Sequence, residues 1–99
     1  MAEQFTKFDP ADYLNTAEDI QLYLEACTEE DPGDGSLIRA ALFDIARVHN
    51  MSQLAREVGI SREGLYKALS DKGNPSFAMV LKVAKALGLE LRLTQKKVA

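Results

Sequence analysis

The sequence predicts an all-α domain of five helices, with a helix-turn-helix near its middle and one short β-strand toward its C-terminal end. Three observations lead there. The segment Met51 to Ser70, MSQLAREVGISREGLYKALS, reads as two short helices joined by a tight turn. The stretch Ser36 to His49 places Ile38, Ala41, Leu42 and Ile45 at i, i+3, i+4 and i+7, the period of an amphipathic helix. Beyond Gly88, the residues Leu89, Leu91 and Leu93 alternate with Glu90, Arg92 and Thr94, the period of a strand with one buried face.

Taken in order, Phe5 to Tyr13 shows no clean period and Pro10 discourages a helix through it, so the first fifteen residues are expected to be extended or partly ordered. Thr16 opens the first helix, because Thr16 and Asp19 have the spacing of a capping box and Glu18 and Asp19 suit the positive end of the helix dipole. Ile20, Tyr23, Leu24 and Cys27 then share one face. The run EEDPGDG from Glu29 to Gly35 is a turn. Its acidity invites a calcium site, yet the ligands do not alternate and no bidentate Glu follows at the needed distance, so no metal is expected.

After the Ser36 helix, Ser52 and Ser61 are each expected to cap the helix that follows them. Gly59 falls where the first of these two helices must stop, since glycine takes positive φ without a steric penalty. Ala55 is small enough for a close crossing, and Leu54, Val58, Ile60, Leu65 and Leu69 clamp the pair, with Ala68 small against a neighbouring helix. DKGNP, 71 to 75, breaks the pattern. Ser76 then caps a last helix whose Phe77, Val80, Leu81, Ala84 and Leu87 repeat at helical spacing as its core face.

The strand that follows has no obvious partner within the chain, and an unpaired apolar edge is a liability. A second copy pairing antiparallel would make a homodimer with Leu89, Leu91 and Leu93 at its interface; the alternative is an extension folded onto its own helices. Gln95 to Ala99 are expected to fray.

A chain of 99 residues makes one small domain, too small for a substrate cleft with a second layer. Cys27 is the only cysteine, which excludes an intrachain disulfide, a zinc knuckle and a CxxC redox pair and suits a cytoplasmic protein. No apolar run approaches membrane-spanning length, and MAEQFTKFDP lacks the regions of a signal peptide, so neither secretion nor membrane insertion is expected. The net charge of −3 conceals two halves. Before Gly35, ten acidic residues face Lys7 alone; from Ser36 onward, eleven Lys and Arg face five Asp and Glu. The chain therefore divides into an acidic segment, 1–35, with one helix packed on the same domain, and a basic segment, 36–99, holding the helix-turn-helix and the strand.

Catalysis finds little support. His49, the one histidine, sits near a helix end, Cys27 and the serines belong to no nucleophile motif, and there is no Gly-rich phosphate loop. Neither an enzyme nor a cofactor is expected. Double-stranded DNA is the better partner, because Arg62, Glu63, Tyr66, Lys67 and Ser70 fall on the side of the second motif helix that the core does not require. Arg62 matches guanine O6 and N7 bidentately, and Tyr66 suits a thymine methyl or a phosphate. Glu63 can accept from cytosine N4 or pair with Lys67 four residues on, and the ion pair is slightly favoured. Ser52 and Gln53 stand at a helix N-terminus suited to a phosphate, while Lys67, Lys72 and Asn74 suit the sugar-phosphate backbone.

Three segments carry a family resemblance over nearly the whole chain: KFDPADYLNTAEDIQLYLEAC, SQLAREVGISREGLYKALS and GNPSFAMVLKVAKALGLELRL. Together they resemble the HigA-like antidote proteins of bacterial toxin–antitoxin (addiction) modules, within the lambda-repressor-like class of helix-turn-helix proteins. The resemblance implies a small antitoxin that neutralises a toxin encoded beside it and, as a dimer, represses their shared operon at its operator. It also implies a toxin resembling a small basic ribonuclease. By position, Gln53, Ser61, Arg62, Tyr66 and Lys67 match the DNA-facing places of the family's motif. Toxin contacts do not transfer by position; the charge pattern instead offers Glu18, Glu25, Glu29 and Glu30, within the acidic run to Asp34, to a basic toxin surface. The competing reading is a stand-alone prophage-type repressor with no toxin partner.

Overall fold

The computed structural model describes residues 9–96, so the expectations for Phe5 and its neighbours before Asp9 and for 97–99 lie outside the described residues. Asp9 accepts a hydrogen bond from the Ala11 amide at 3.1 Å and caps a 3-10 turn, Pro10–Tyr13. Pro10 was expected to discourage helical backbone; instead it opens this turn, where a first residue needs no N–H donor and its fixed φ suits the bend. Leu14 closes the turn and is buried, and the turn itself packs against the helix Ser36–Val48.

The first helix, α1 (Ala17–Glu30), starts at the predicted capping box: Thr16 Oγ1 accepts from the Asp19 amide at 3.0 Å, and Asp19 Oδ2 accepts from the Thr16 amide at 3.1 Å. The acidic turn after it has a structural use. Asp31 Oδ2 accepts from the amides of Gly33 and Gly35, both at 2.8 Å, while Oδ1 accepts from Leu37 at 2.8 Å and Ile38 at 3.3 Å. Leu37 and Ile38 are the second and third residues of α2 (Ser36–Val48), whose own cap residue, Gly35, has no side chain to offer. Asp31 thus satisfies orphan donors of α2 from across the turn. Burial alone would raise the pKa of its carboxyl, but these four backbone donors outweigh it and hold it below the ordinary value. Among the described residues no cluster of three or more His, Cys, Asp or Glu is placed to hold a metal ion.

In α2, Ala41, Leu42 and Ile45 are buried as their spacing predicts while Ile38 is only half-buried, and Asp44 and Ala46 are buried beside them. The next helix, α3 (Met51–Val58), corrects one expectation: its cap is Asn50, whose Oδ1 accepts from the Gln53 amide at 3.0 Å, and Ser52 lies exposed inside the helix. Met51 decides between the two cap formers, because burying it as the first helical residue leaves the capping place to Asn50.

Gly59 ends α3 at φ 92°, and the amides of Gly59 and Ile60 close on the Ala55 carbonyl at 2.8 and 3.0 Å. The fourth helix, α4 (Arg62–Leu69), begins at Ser61, whose Oγ accepts from the Gly64 amide at 2.9 Å. Leu65 and Leu69 of α4 join Leu54, Ala55 and Val58 of α3, Ala46 of α2 and Val83 in one buried cluster. Gly73 lets the chain fold back under α4, since a Cβ there would collide with the carbonyls of Lys67 and Ala68.

The last helix, α5 (Phe77–Ala86), is capped by Ser76 Oγ, which accepts from the Met79 amide at 3.1 Å. Its face toward the buried cluster keeps only Leu87 of the predicted stripe. Val83 is fully buried and Met79, Ala86 and Leu87 pack beside it, whereas Phe77 and Leu81 are 67% and 38% exposed. The segment FAMVLKVAKA is apolar on two sides, so periodicity alone could not select the buried one. A Schellman arrangement ends the helix, with Leu89 donating to the Ala84 carbonyl at 2.8 Å and Gly88 to Lys85 at 3.0 Å. The described residues form five α-helices and no strand, in keeping with an all-α chain. Residues 89–94, where the strand is expected, carry no regular structure, and the described residues of the single chain supply no neighbouring strand edge for their backbone groups.

Candidate functional site

Leu65 and Leu69, both fully buried, fix the roll of α4. On its other side Arg62, Glu63, Tyr66, Lys67 and Ser70 line one shallow concavity of about 380 Å³. Their spacing of three and four residues keeps them on a single face. Among the described residues no ion pair joins Glu63 to Lys67, contrary to the slight preference for that pair; an exposed pair gains too little to hold two long side chains together.

Contacts from α2 hold this face in place, and the sequence pattern alone did not reveal them. Arg39 Nη1 donates to the Leu69 carbonyl at 2.6 Å and so anchors the C-terminal end of α4. The Phe43 ring packs against the ring of Tyr66, a residue 47% exposed, and the Arg47 guanidinium lies 5.3 Å over Phe43. Arg47 also bridges Asp9, at 2.9 and 3.2 Å, and Asp44, at 2.5 Å. The hydrogen bond from Arg47 holds the Asp9 carboxyl below its ordinary pKa, with the Ala11 amide adding to the effect. From α1, the Tyr23 phenol donates to Asp44 Oδ2 at 2.5 Å. Burial first, and Asp44 second, push the Tyr23 pKa well up. The sequence did offer one signal: Asp44 is a charged residue in the midst of the buried positions Ala41, Leu42, Ile45 and Ala46, where a carboxylate requires donors.

The remaining predicted residues scatter. Ser52 and Gln53 are exposed near the start of α3, and the Gln53 amide leans on Glu57 Oε2 at 3.4 Å. The Ser61 hydroxyl is used as a cap, and the Ser70 hydroxyl donates to the Lys67 carbonyl at 2.9 Å. Lys72 is exposed in the turn after α4. Asn74 lies apart from the α4 concavity, on a larger groove of about 1060 Å³ between α1, α2, α5 and the tail, which Glu25, Glu29, Leu89, Leu91 and Leu93 also line. Glu18, Glu25 and Glu29 fall along one side of α1 by helical spacing, and Glu30 falls off it.

The family described as "probable addiction module antidote protein" matches residues 4–95 of the chain. The chain belongs to this antidote family. An uncharacterized protein of Haemophilus influenzae is 56% identical over 99 residues, covering 100% of both chains. No solved structure matches. Membership in an antidote family implies a toxin partner. In this antidote-family chain, the acidic side of α1 and the polar side of α4 stand on different elements, joined through Tyr23, Asp44, Arg47, Phe43 and Tyr66. None of its helices among the described residues is long and apolar enough to cross a membrane.

Proposed function

We propose that the chain is the antitoxin of a toxin–antitoxin module, which neutralises its toxin by direct binding and, as a homodimer, represses its own operon by binding operator DNA. The observation that carries the DNA reading is the cluster of Arg62, Glu63, Tyr66, Lys67 and Ser70 on one side of a helix whose other side is locked into the core. In this reading α3 and α4 form a helix-turn-helix of the lambda-repressor-like class, and α4 enters the major groove. Arg62 takes guanine O6 and N7, Glu63 is free to accept from cytosine N4, and Tyr66 meets a thymine methyl or a phosphate. Lys67 and Lys72 meet phosphate, as do Ser52 and Gln53 at the first turn of α3, with Asn74 at the margin of the contact.

A gel-shift titration on the DNA upstream of the gene tests this. Six to eight phosphate contacts give a log–log salt slope of about −6, and a slope near zero overturns DNA binding.

The toxin reading rests on family membership and on charge. The acidic residues Glu18, Glu25, Glu29 and Glu30 suit a small basic partner, such as a ribonuclease that grips RNA through the same basic surface. Co-purification with the product of the neighbouring gene tests it, and charge reversal at Glu25, Glu29 and Glu30 should slow capture while leaving operator binding intact. Operator binding with no captured neighbour would point instead to a stand-alone repressor.

A further inference from the structure

The helix α5 has two apolar faces, and the fold of one chain uses only the one around Val83. The other face opens on the 1060 Å³ groove, where Phe77 and Leu81 of α5 stand with Ile38 of α2 and the tail residues Leu89, Leu91 and Leu93. Phe77 is 67% exposed, Leu91 54% and Leu93 89%. A contiguous apolar surface of this kind marks an interaction site on a small domain. Beside it runs a tail with no regular structure, whose backbone groups have no neighbouring strand among the described residues. Glu90 and Arg92 share the side of the tail opposite the leucines, with Arg92 Nε 3.5 Å from Glu90 Oε1.

We propose that two copies of the chain pair their tails antiparallel in a single register, Leu91 opposite Leu91 of the partner subunit, so that the leucines of the ribbon cover both grooves. The proposal rests on the homodimer reading above and adds its location and register. In a two-stranded antiparallel ribbon, directly opposed residues share a face. A twofold axis normal to the ribbon preserves faces, so it must pass through a pair of identical residues. Centring on Glu90 opposes two carboxylates, and centring on Arg92 opposes two guanidinium groups; like charges directly opposite are destabilising. Centring on Leu89 runs the ribbon into the end of α5, and centring on Leu93 sets Leu91 against Gln95. Leu91 is the centre that remains. It places Glu90 opposite the partner's Arg92 twice over and Leu89 opposite the partner's Leu93, leaving a charged outer face and an apolar inner one.

The decisive experiment is a charge-swap cycle on the full chain, read by analytical ultracentrifugation, with circular dichroism to verify that each variant is folded. Glu90→Arg and Arg92→Glu should each raise the dimer dissociation constant about tenfold, since each turns two attractive pairs repulsive, and the double variant should restore the wild-type value. In a Cys27→Ala background, Leu91→Cys should cross-link to itself with oxidised glutathione, because opposed Cβ atoms in such a ribbon lie within disulfide reach. A dimer that ignores the charge swaps and does not cross-link at 91 overturns the register and leaves the homodimer standing. A monomer at every concentration overturns both. If that monomer also loses toxin capture on Leu91→Asp, the groove belongs to the toxin.

Discussion

The ring of Tyr66 meets the ring of Phe43 edge to face, with centroids 5.0 Å apart and planes at 84°. The most prominent aromatic on the polar side of α4 is therefore a mount as well as a candidate contact. Its ring is held by Phe43 of α2, and Phe43 is in turn covered by Arg47. The two roles separate by substitution. Tyr66→Ala should cost about 1 kcal/mol of stability through the lost aromatic pair and weaken operator binding as well. Tyr66→Phe should keep the urea midpoint, weakening operator binding where the hydroxyl meets a phosphate and leaving it unchanged where the ring meets a thymine methyl; full binding by Tyr66→Ala would limit the residue to support.

Tyr23 and Asp44 make the second long-range link, a phenol on a carboxylate that is only 8% exposed. Tyr23→Phe removes one of the two side chains that, among the described residues, donate to Asp44 and should cost about 2 kcal/mol, the range for a hydrogen bond to a charged group. Asp44→Ala should cost more, since it strands the Tyr23 hydroxyl and one arm of Arg47 together. The double variant should be no less stable than Asp44→Ala, because both substitutions break the same bond. Additive losses in urea unfolding would show that the contact is not shared.

Stability should fall at both ends of the pH scale, for opposite reasons. Asp9 is held low by Arg47 and then by the Ala11 amide, Asp34 by the hydroxyl and amide of Ser36, and Asp31 by its backbone donors against the effect of burial. A folded-state pKa below the unfolded one gives stability that is complete above the unfolded value, about 4, and is lost as pH drops through the folded value. Tyr23 has the opposite sign: its pKa is raised, so its contribution is complete below about 10 and disappears above that. Urea midpoints should be flat from about pH 5 to 9 as far as these groups go, then drop on either side. Asp31→Asn should flatten the acid limb and Tyr23→Phe the alkaline one.

The two glycines flanking α4 should respond differently to alanine. Gly59 has open space where a Cβ would be, so Gly59→Ala meets only the penalty of left-handed backbone, about 1–2 kcal/mol. At Gly73 the added Cβ would strike the carbonyls of Lys67 and Ala68, which cannot move without unwinding the last turn of α4. Gly73→Ala should therefore lose more stability than Gly59→Ala and should displace Lys67 from the polar face. Equal thermal shifts for the two variants would reject this account.

Local chemistry was readable from the residues, and long-range choices were not. The capping box at Thr16 and Asp19, the caps at Ser61 and Ser76, the stop at Gly59 and the burial of Leu54, Leu65 and Leu69 each follow from a few neighbouring residues. Asn50 and Ser52 are both good cap formers, and only the burial of Met51 separates them. Asp31 reaches six and seven residues ahead, beyond any cap signature. Arg39 finds the Leu69 carbonyl 30 residues away, and no local pattern announces such a partner. On α5 both faces are apolar, so the choice of core depended on which neighbours pack around Val83. Among the proposed DNA contacts, Arg62, Glu63, Tyr66, Lys67 and Ser70 do come together, because one helix carries them; Asn74 belongs to another segment and another surface.

Arg62 and Lys67 should separate base reading from phosphate contact. Both stand on the polar side of α4, and among the described residues neither takes part in an ion pair that would have to be broken first. A guanidinium that holds guanine bidentately discriminates among sequences, so Arg62→Ala should cost about 1–3 kcal/mol on the operator and relax preference at one base pair per half-site. An ammonium on a phosphate discriminates nothing. Lys67→Ala should weaken operator and random DNA alike and make the log–log salt slope less negative by about 1 for each phosphate that the lysine no longer neutralises. Binding isotherms of each variant on operator and scrambled duplexes, at two salt concentrations, distinguish these outcomes. If Arg62→Ala weakens both duplexes equally, Arg62 is a backbone contact, and base reading must be sought in Glu63 and Tyr66.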